Sequence, residues 1–254
     1  FMAGMMPGII LAVALCVYVA IISKKRKYPR SAPPKLGAYL RYCLKAVWAM
    51  LTPVILLVGI YTGVMTPTEA GAIGALGAII IAAVTGQLNK EKIGRILKGT
   101  VLTTAFVLFL LVGTYVFIQF VAISKLPFLI TNFITGLNVS KYVVLLLVAL
   151  MYIVLGMCLP AMTMMVLTIP LLYPAMMALG FHPIWFGLFV VLMQALGGIT
   201  PPVGMVVYIL GGTTKVPITR IFKGAMPFVA AELIVIFLVC LFPALATVLP
   251  GLMS

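Results

Sequence analysis

The sequence predicts an all-α polytopic membrane protein whose later part carries a re-entrant hairpin and a discontinuous helix. Three observations lead there. The 254 residues are 65% hydrophobic and 8% charged, with mean hydropathy +1.31, more apolar surface than a soluble domain can hide. The Lys and Arg residues gather between apolar runs. Two of those runs are interrupted by Gly and Pro where no charge stands nearby.

The elements follow in order. Residues 3–22 read as a first span. The basic segment 23–46 comes next, broken by Pro33 and Pro34. Its last part, 36–46 (LGAYLRYCLKA), predicts an amphipathic helix lying at the interface. Residues 47–64 read as a second span with Pro53 as a kink. In TPTE, Thr66 stands as N-cap, Pro67 as N1 and Glu69 as N3, which is a capping box. It starts a third span, 68–86, where Gly71, Gly74 and Gly77 let another helix come close. A basic loop, 88–98, precedes a fourth span, 99–122. Residues 126–138 read as a short helix near the interface.

Two apolar runs, 142–157 and 161–178, are separated by GMCLPAMT (156–163). A turn outside the membrane usually carries polar residues, and this one has no charge. It therefore predicts a re-entrant hairpin whose tip is covered by protein or faces a water-filled cavity. Residues 183–212 are a broken span with GGITPPVG (197–204) at its centre, and 226–249 form the last span.

Charge sets the orientation. With 23–46, 88–98 and 213–225 inside, 15 of the 17 Lys and Arg residues are cytoplasmic, and Lys125 and Lys141 are outside. The net charge of +14 is thus explained by the bilayer as partner, and nucleic acid is not expected. Cys16, Cys43, Cys158 and Cys240 are scattered and form no CxxC pair, so they predict small apolar fillers rather than a disulfide framework or metal site. The chain has no Asp and one His, His182, which leaves no catalytic dyad for an enzyme. Phe1 lies inside an apolar run with no basic n-region or cleavage site. No signal peptide is read, and the chain is expected to be the later part of a longer protein.

The break carries the chemistry. Thr200 precedes a proline and is pushed out of the helical region. Pro201 and Pro202 remove two N–H donors, so the last carbonyls of the preceding half-helix lose partners. Those carbonyls with Thr200 Oγ1 form a hard oxygen site for a small cation. The following half-helix points its positive end at the same place, which suits an anion. Discontinuous helices of secondary transporters pair the two in this way. The tip 156–163 adds carbonyls and Thr163 Oγ1. Glu232, placed two turns into the last span, is the runner-up as a proton carrier. A channel would want a continuous polar stripe along several spans, which is absent.

Three stretches, PTEAGAIGALGA, GMCLPAMTMMVLTIPLLYPAMMALGFHPIWFG and GGITPPVGMVVYIL, occur in this order. The set resembles the C-terminal half of the large membrane subunit, DctM-like, of TRAP transporters, over nearly the whole chain. That resemblance implies an elevator-type fold of two inverted repeats, of which this chain would hold the second. Hairpin 142–178 and broken helix 183–212 would form the transport part, 139–225. Residues 1–138 would be scaffold-type spans and 226–254 the last span. It implies sodium-coupled uptake of an organic acid, such as a C4-dicarboxylate or sialic acid, across the bacterial inner membrane. The implied partners are a periplasmic substrate-binding protein, a small membrane subunit, fused or separate, and the N-terminal half of the same subunit. No cofactor is implied beyond sodium as coupling ion. By position, Gly197, Gly198, Ile199, Thr200, Pro201, Pro202 and Gly204, with Gly156, Met157, Pro160 and Thr163, would bind sodium and substrate. Thr200 and Gly198 would ligate the sodium. Many members carry an acid in the tip where this chain has Leu159, so backbone carbonyls are left as donors there. The alternatives are a proton-coupled anion transporter using Glu232, or a non-transporting channel or scaffold.

Overall fold

The computed structural model describes residues 2–26, 36–137 and 139–251, with backbone alone for 36, 38–46, 48 and 49. The elements described are helices: α1 (Met2–Lys25), α2 (Leu36–Tyr61), α3 (Pro67–Val84), α4 (Lys90–Ile123), α5 (Leu126–Gly136), α6 (Lys141–Cys158), α7 (Ala161–Ala178), α8 (Pro183–Ile199), α9 (Met205–Thr214), α10 (Ile218–Leu241) and α11 (Ala244–Gly251). Six of them are long and apolar enough to cross a membrane. Two compact units form: Tyr28–Val107, and Phe1–Lys27 with Leu108–Ser254.

In the first of these units α2 packs on α3. The glycines expected to admit a neighbour do so: a methyl on Gly74 would stand 2.8 Å from Leu56 Cδ1, and one on Gly77 3.6 Å from Thr52 Cγ2. The capping box is present. The Thr66 N–H donates to Glu69 Oε2 at 2.8 Å, and the Glu69 N–H to Thr66 Oγ1 at 3.3 Å.

Three boundaries differ from expectation. Segment 36–46 is not a separate interfacial helix. It runs unbroken into the second span as α2, because no Pro stands between Leu36 and Pro53. The basic stretch 88–98 is a loop only to Asn89. Asn89 Oδ1 accepts from the Glu91 N–H at 2.8 Å and starts α4. Glu91 and Arg95 then pair across one turn at 3.0 Å. The last span begins at Ile218, inside the expected basic loop, and ends at Leu241 before Pro243. Glu232 is therefore the fifteenth residue of its helix, about 21 Å from its start, rather than two turns in.

The other unit is built around α8. This helix is apolar all round and buries nine of its 17 residues, Trp185 to Gly198, as a central helix must. α6 and α10 lie along it, and Tyr152, Met193, Leu196 and Val239 belong to one continuous core. α7 rests chiefly on α5. One buried polar link ties the hairpin arms: Tyr152 Oη and Thr168 Oγ1 are 2.7 Å apart, and Thr168 Oγ1 lies 2.8 Å from the Met164 carbonyl. At the open end of the hairpin the Lys141 amine sits 5.4 Å from the Phe181 ring and 5.6 Å from the Tyr142 ring. α1 packs on α10 and α11, so the first span shares a unit with the hairpin.

Candidate functional site

Two interruptions meet at the core. The expected eight-residue tip contracts to two extended residues, Leu159 and Pro160, between α6 and α7. Gly156 and Met157 are still helical, and Thr163 already is. The break after α8 is longer, Thr200 to Gly204, and contains a cis Pro201–Pro202 bond. Gly204 takes φ +53, where an L side chain is strained, and a methyl there would also meet Phe222 Cε1 at 3.0 Å and the Thr200 carbonyl at 3.1 Å.

The helix ends that lead into tip and break touch, backbone on backbone. A methyl on Gly197 would lie 2.8 Å from Gly156 Cα and 3.1 Å from the Ile153 carbonyl. A methyl on Gly156 would lie 3.1 Å from Gly197 Cα and 3.3 Å from the Gln194 carbonyl. Only hydrogen fits between the two helices, so these glycines set the distance between α6 and α8.

The sequence arranges the polar groups of both interruptions alike. A helical carbonyl is normally met by the N–H four residues on. For Gly156 that residue is Pro160, and for Gly198 it is Pro202; neither has an N–H. The residue three after Gly198 is Pro201, so a tighter turn cannot serve it either. The Gly197 carbonyl is taken by the Thr200 N–H at 3.2 Å. Thr200 Oγ1 donates to the Leu196 carbonyl at 2.6 Å, which directs its proton into α8 and leaves its lone pairs outward. No residue in 156–163 or 196–205 is charged. Among the described residues no three His, Cys, Asp or Glu side chains stand together, so a cation here would be held by carbonyl and hydroxyl oxygen.

Gly197, Gly198 and Gly204 are buried, Ile199, Thr200 and Pro201 half-buried, and Pro202 exposed. Of the tip residues, Gly156 is buried and brought against the break, Met157 and Thr163 are half-buried, and Pro160 is exposed. Sequence reasoning missed the Tyr152–Thr168 link and the bond from Trp185 Nε1 to the Val239 carbonyl, 2.9 Å. Polar Tyr152 and Thr168 inside apolar runs were the signal for the first. It also underrated Glu232, which is buried and lines a cavity that Ile199 shares.

A multi-pass membrane protein with a helix interrupted in its buried core shares that feature with many secondary transporters. Residues 1–245 match the family model described as "Tripartite ATP-independent periplasmic transporter, DctM component", and the chain belongs to that family. It is 33% identical over 253 residues to the sialic acid TRAP transporter large permease protein SiaM of Vibrio cholerae, covering 99% of this chain and 59% of SiaM. It is 29% identical over 252 residues to the C4-dicarboxylate TRAP transporter large permease protein DctM of Pseudomonas aeruginosa, covering 99% and 59%. It is 30% identical over 253 residues to the isethionate TRAP transporter permease protein DctMQ of Oleidesulfovibrio alaskensis, covering 99% and 40%. The chain thus spans little more than half the length of the first two relatives. These relatives are named as permeases, not enzymes.

Proposed function

We propose that this chain is the second-repeat portion of a secondary transporter that takes up an organic acid anion with sodium across the bacterial inner membrane. A periplasmic substrate-binding protein delivers the anion. A small membrane subunit, fused or separate, and an N-terminal half of the same subunit complete the machine. The hairpin α6–α7 is re-entrant and moves with the broken helix α8–α9 in an elevator motion, and Gly198 and Thr200 contribute oxygen to sodium. The observation that carries the reading is the Gly198 carbonyl, which Pro201 and Pro202 deprive of donors at three and four residues beside a glycine-on-glycine contact with the hairpin. Backbone polar groups at membrane depth persist where protein, water or an ion meets them. The relatives' named substrates, sialic acid, C4-dicarboxylate and isethionate, are all organic acids and support that class of cargo.

The test is uptake into proteoliposomes by the full-length protein with its cognate binding protein, with and without a sodium gradient. Uptake that depends on inward sodium is expected. Uptake that survives complete sodium removal refutes the coupling.

A further inference from the structure

One carboxyl lies in a cavity that borders the proposed site through Ile199. α1, α8, α9 and α10 border about 550 Å³, lined by Leu11, Leu15, Ile199, Leu210 and Phe228 among others, with Glu232 as the sole ionisable group on the wall. Its size falls within the range of small-molecule pockets. Glu232 is 6% exposed and has no hydrogen-bond or ion-pair partner among the described residues. The other two acids are met: Glu69 by the Thr66 N–H and Glu91 by Arg95. A buried carboxyl either keeps its proton or takes a cation or donors in place of lost hydration, and this apolar wall supplies neither cation nor donor.

The complementary occupant has a compact apolar body and one ammonium group. The body replaces water against the leucines and phenylalanine, and the ammonium donates to the carboxylate. Against a phospholipid headgroup stands the distance along α10 from its last basic residue, Lys223, to Glu232, about 14 Å. An acyl chain would fill the space and leave the carboxyl bare. We propose that this cavity is a binding site for apolar ammonium ions, anchored on Glu232. Its occupant touches Ile199 at the end of α8 and Leu210 in α9, and so braces the two halves of the broken helix. The site does not rest on sodium as the coupling ion.

The experiment compares 1-aminoadamantane with 1-adamantanol, a neutral probe of the same shape, by thermal shift and equilibrium dialysis on the purified full-length protein at neutral pH. The ammonium is expected to bind saturably and at least about tenfold more tightly than the alcohol. Glu232→Gln should bring the two to within about twofold. Gly224→Leu adds a side chain where nothing lies within 4 Å on the cavity wall, and should weaken both probes with the carboxyl intact. Equal affinities in the wild type, absence of saturable binding, or a preference that survives Glu232→Gln each overturns the proposal. The wild-type comparison and Gly224→Leu decide it even where Glu232→Gln does not fold.

Discussion

Trp185 Nε1 donates to the carbonyl of Val239 at 2.9 Å, and Pro243, four residues past Val239, is why that carbonyl is free. The same covalent fact, a proline four residues on, leaves the Gly198 carbonyl open. At α10 an indole from the central helix answers it. At α8 no backbone donor does. Proline alone therefore does not make a site, and the neighbours decide whether a freed carbonyl becomes glue or ligand.

The glue can be measured. Trp185→Phe keeps the aromatic stack with Phe181 and Phe189, whose ring centroids lie 5.1 and 5.4 Å away, but leaves the Val239 carbonyl unmet. We expect a loss of about 1–3 kcal/mol, seen as a lower melting temperature in detergent. Pro243→Ala restores an N–H, so the double variant should lose less than the sum of the single ones. Strict additivity would contradict this account.

Gly197→Ala should be among the costliest single-methyl changes in the chain. Its methyl would press on backbone at 2.8 Å, which cannot rotate away. A cost of about 1–3 kcal/mol is expected, together with loss of uptake. Gly187→Ala, where nothing lies within 4 Å, is the matched control in the same helix. Thermal unfolding of the two variants side by side checks the difference.

If Thr200 ligates sodium, Thr200→Ala should raise the sodium concentration for half-maximal uptake by about tenfold, the equivalent of roughly 1.4 kcal/mol. Thr200→Ser, which keeps the hydroxyl, should restore it. The bond to the Leu196 carbonyl is lost in the alanine variant too, so melting temperature is recorded alongside. An unchanged sodium dependence in Thr200→Ala removes the residue from the site.

The hairpin makes a topological prediction. A single cysteine at Leu159, in a variant with the native cysteines replaced, should resist membrane-impermeant maleimide from the cytoplasmic face in at least one transport state. Labelling from that face in every state would mean that α6 and α7 are two ordinary spans. Their 18 residues each are long enough for that, at about 27 Å, so length alone does not decide.

What could be read in the sequence was local and covalent. The Pro-Pro break and the Thr66–Glu69 capping box need only a few neighbouring residues, and both stand where expected. Boundaries failed where charge was taken to mean loop. Lys90 to Lys98 are helical because charged residues sustain a helix well on its solvated turns. The same habit started α10 too late and misplaced Glu232 along the helix. That tip and break share one site was read from their two interruptions, but the contact of Gly156 with Gly197 was not, since periodicity reports which face of a helix is apolar and not which helix covers it. The domain reading meets a further fact: α1, counted with the scaffold, packs on α10 and α11.

The two arms of the hairpin lean on different supports. α6 is pinned to the central helix by glycine against glycine, while α7 rests chiefly on α5 and is linked to α6 by the Tyr152–Thr168 bond. Such a loop resembles a door with a fixed jamb and a movable leaf. Swinging α7 would break the buried hydroxyl pair and uncover Met164, Leu172 and Met176, whereas swinging α6 would mean prising backbones apart.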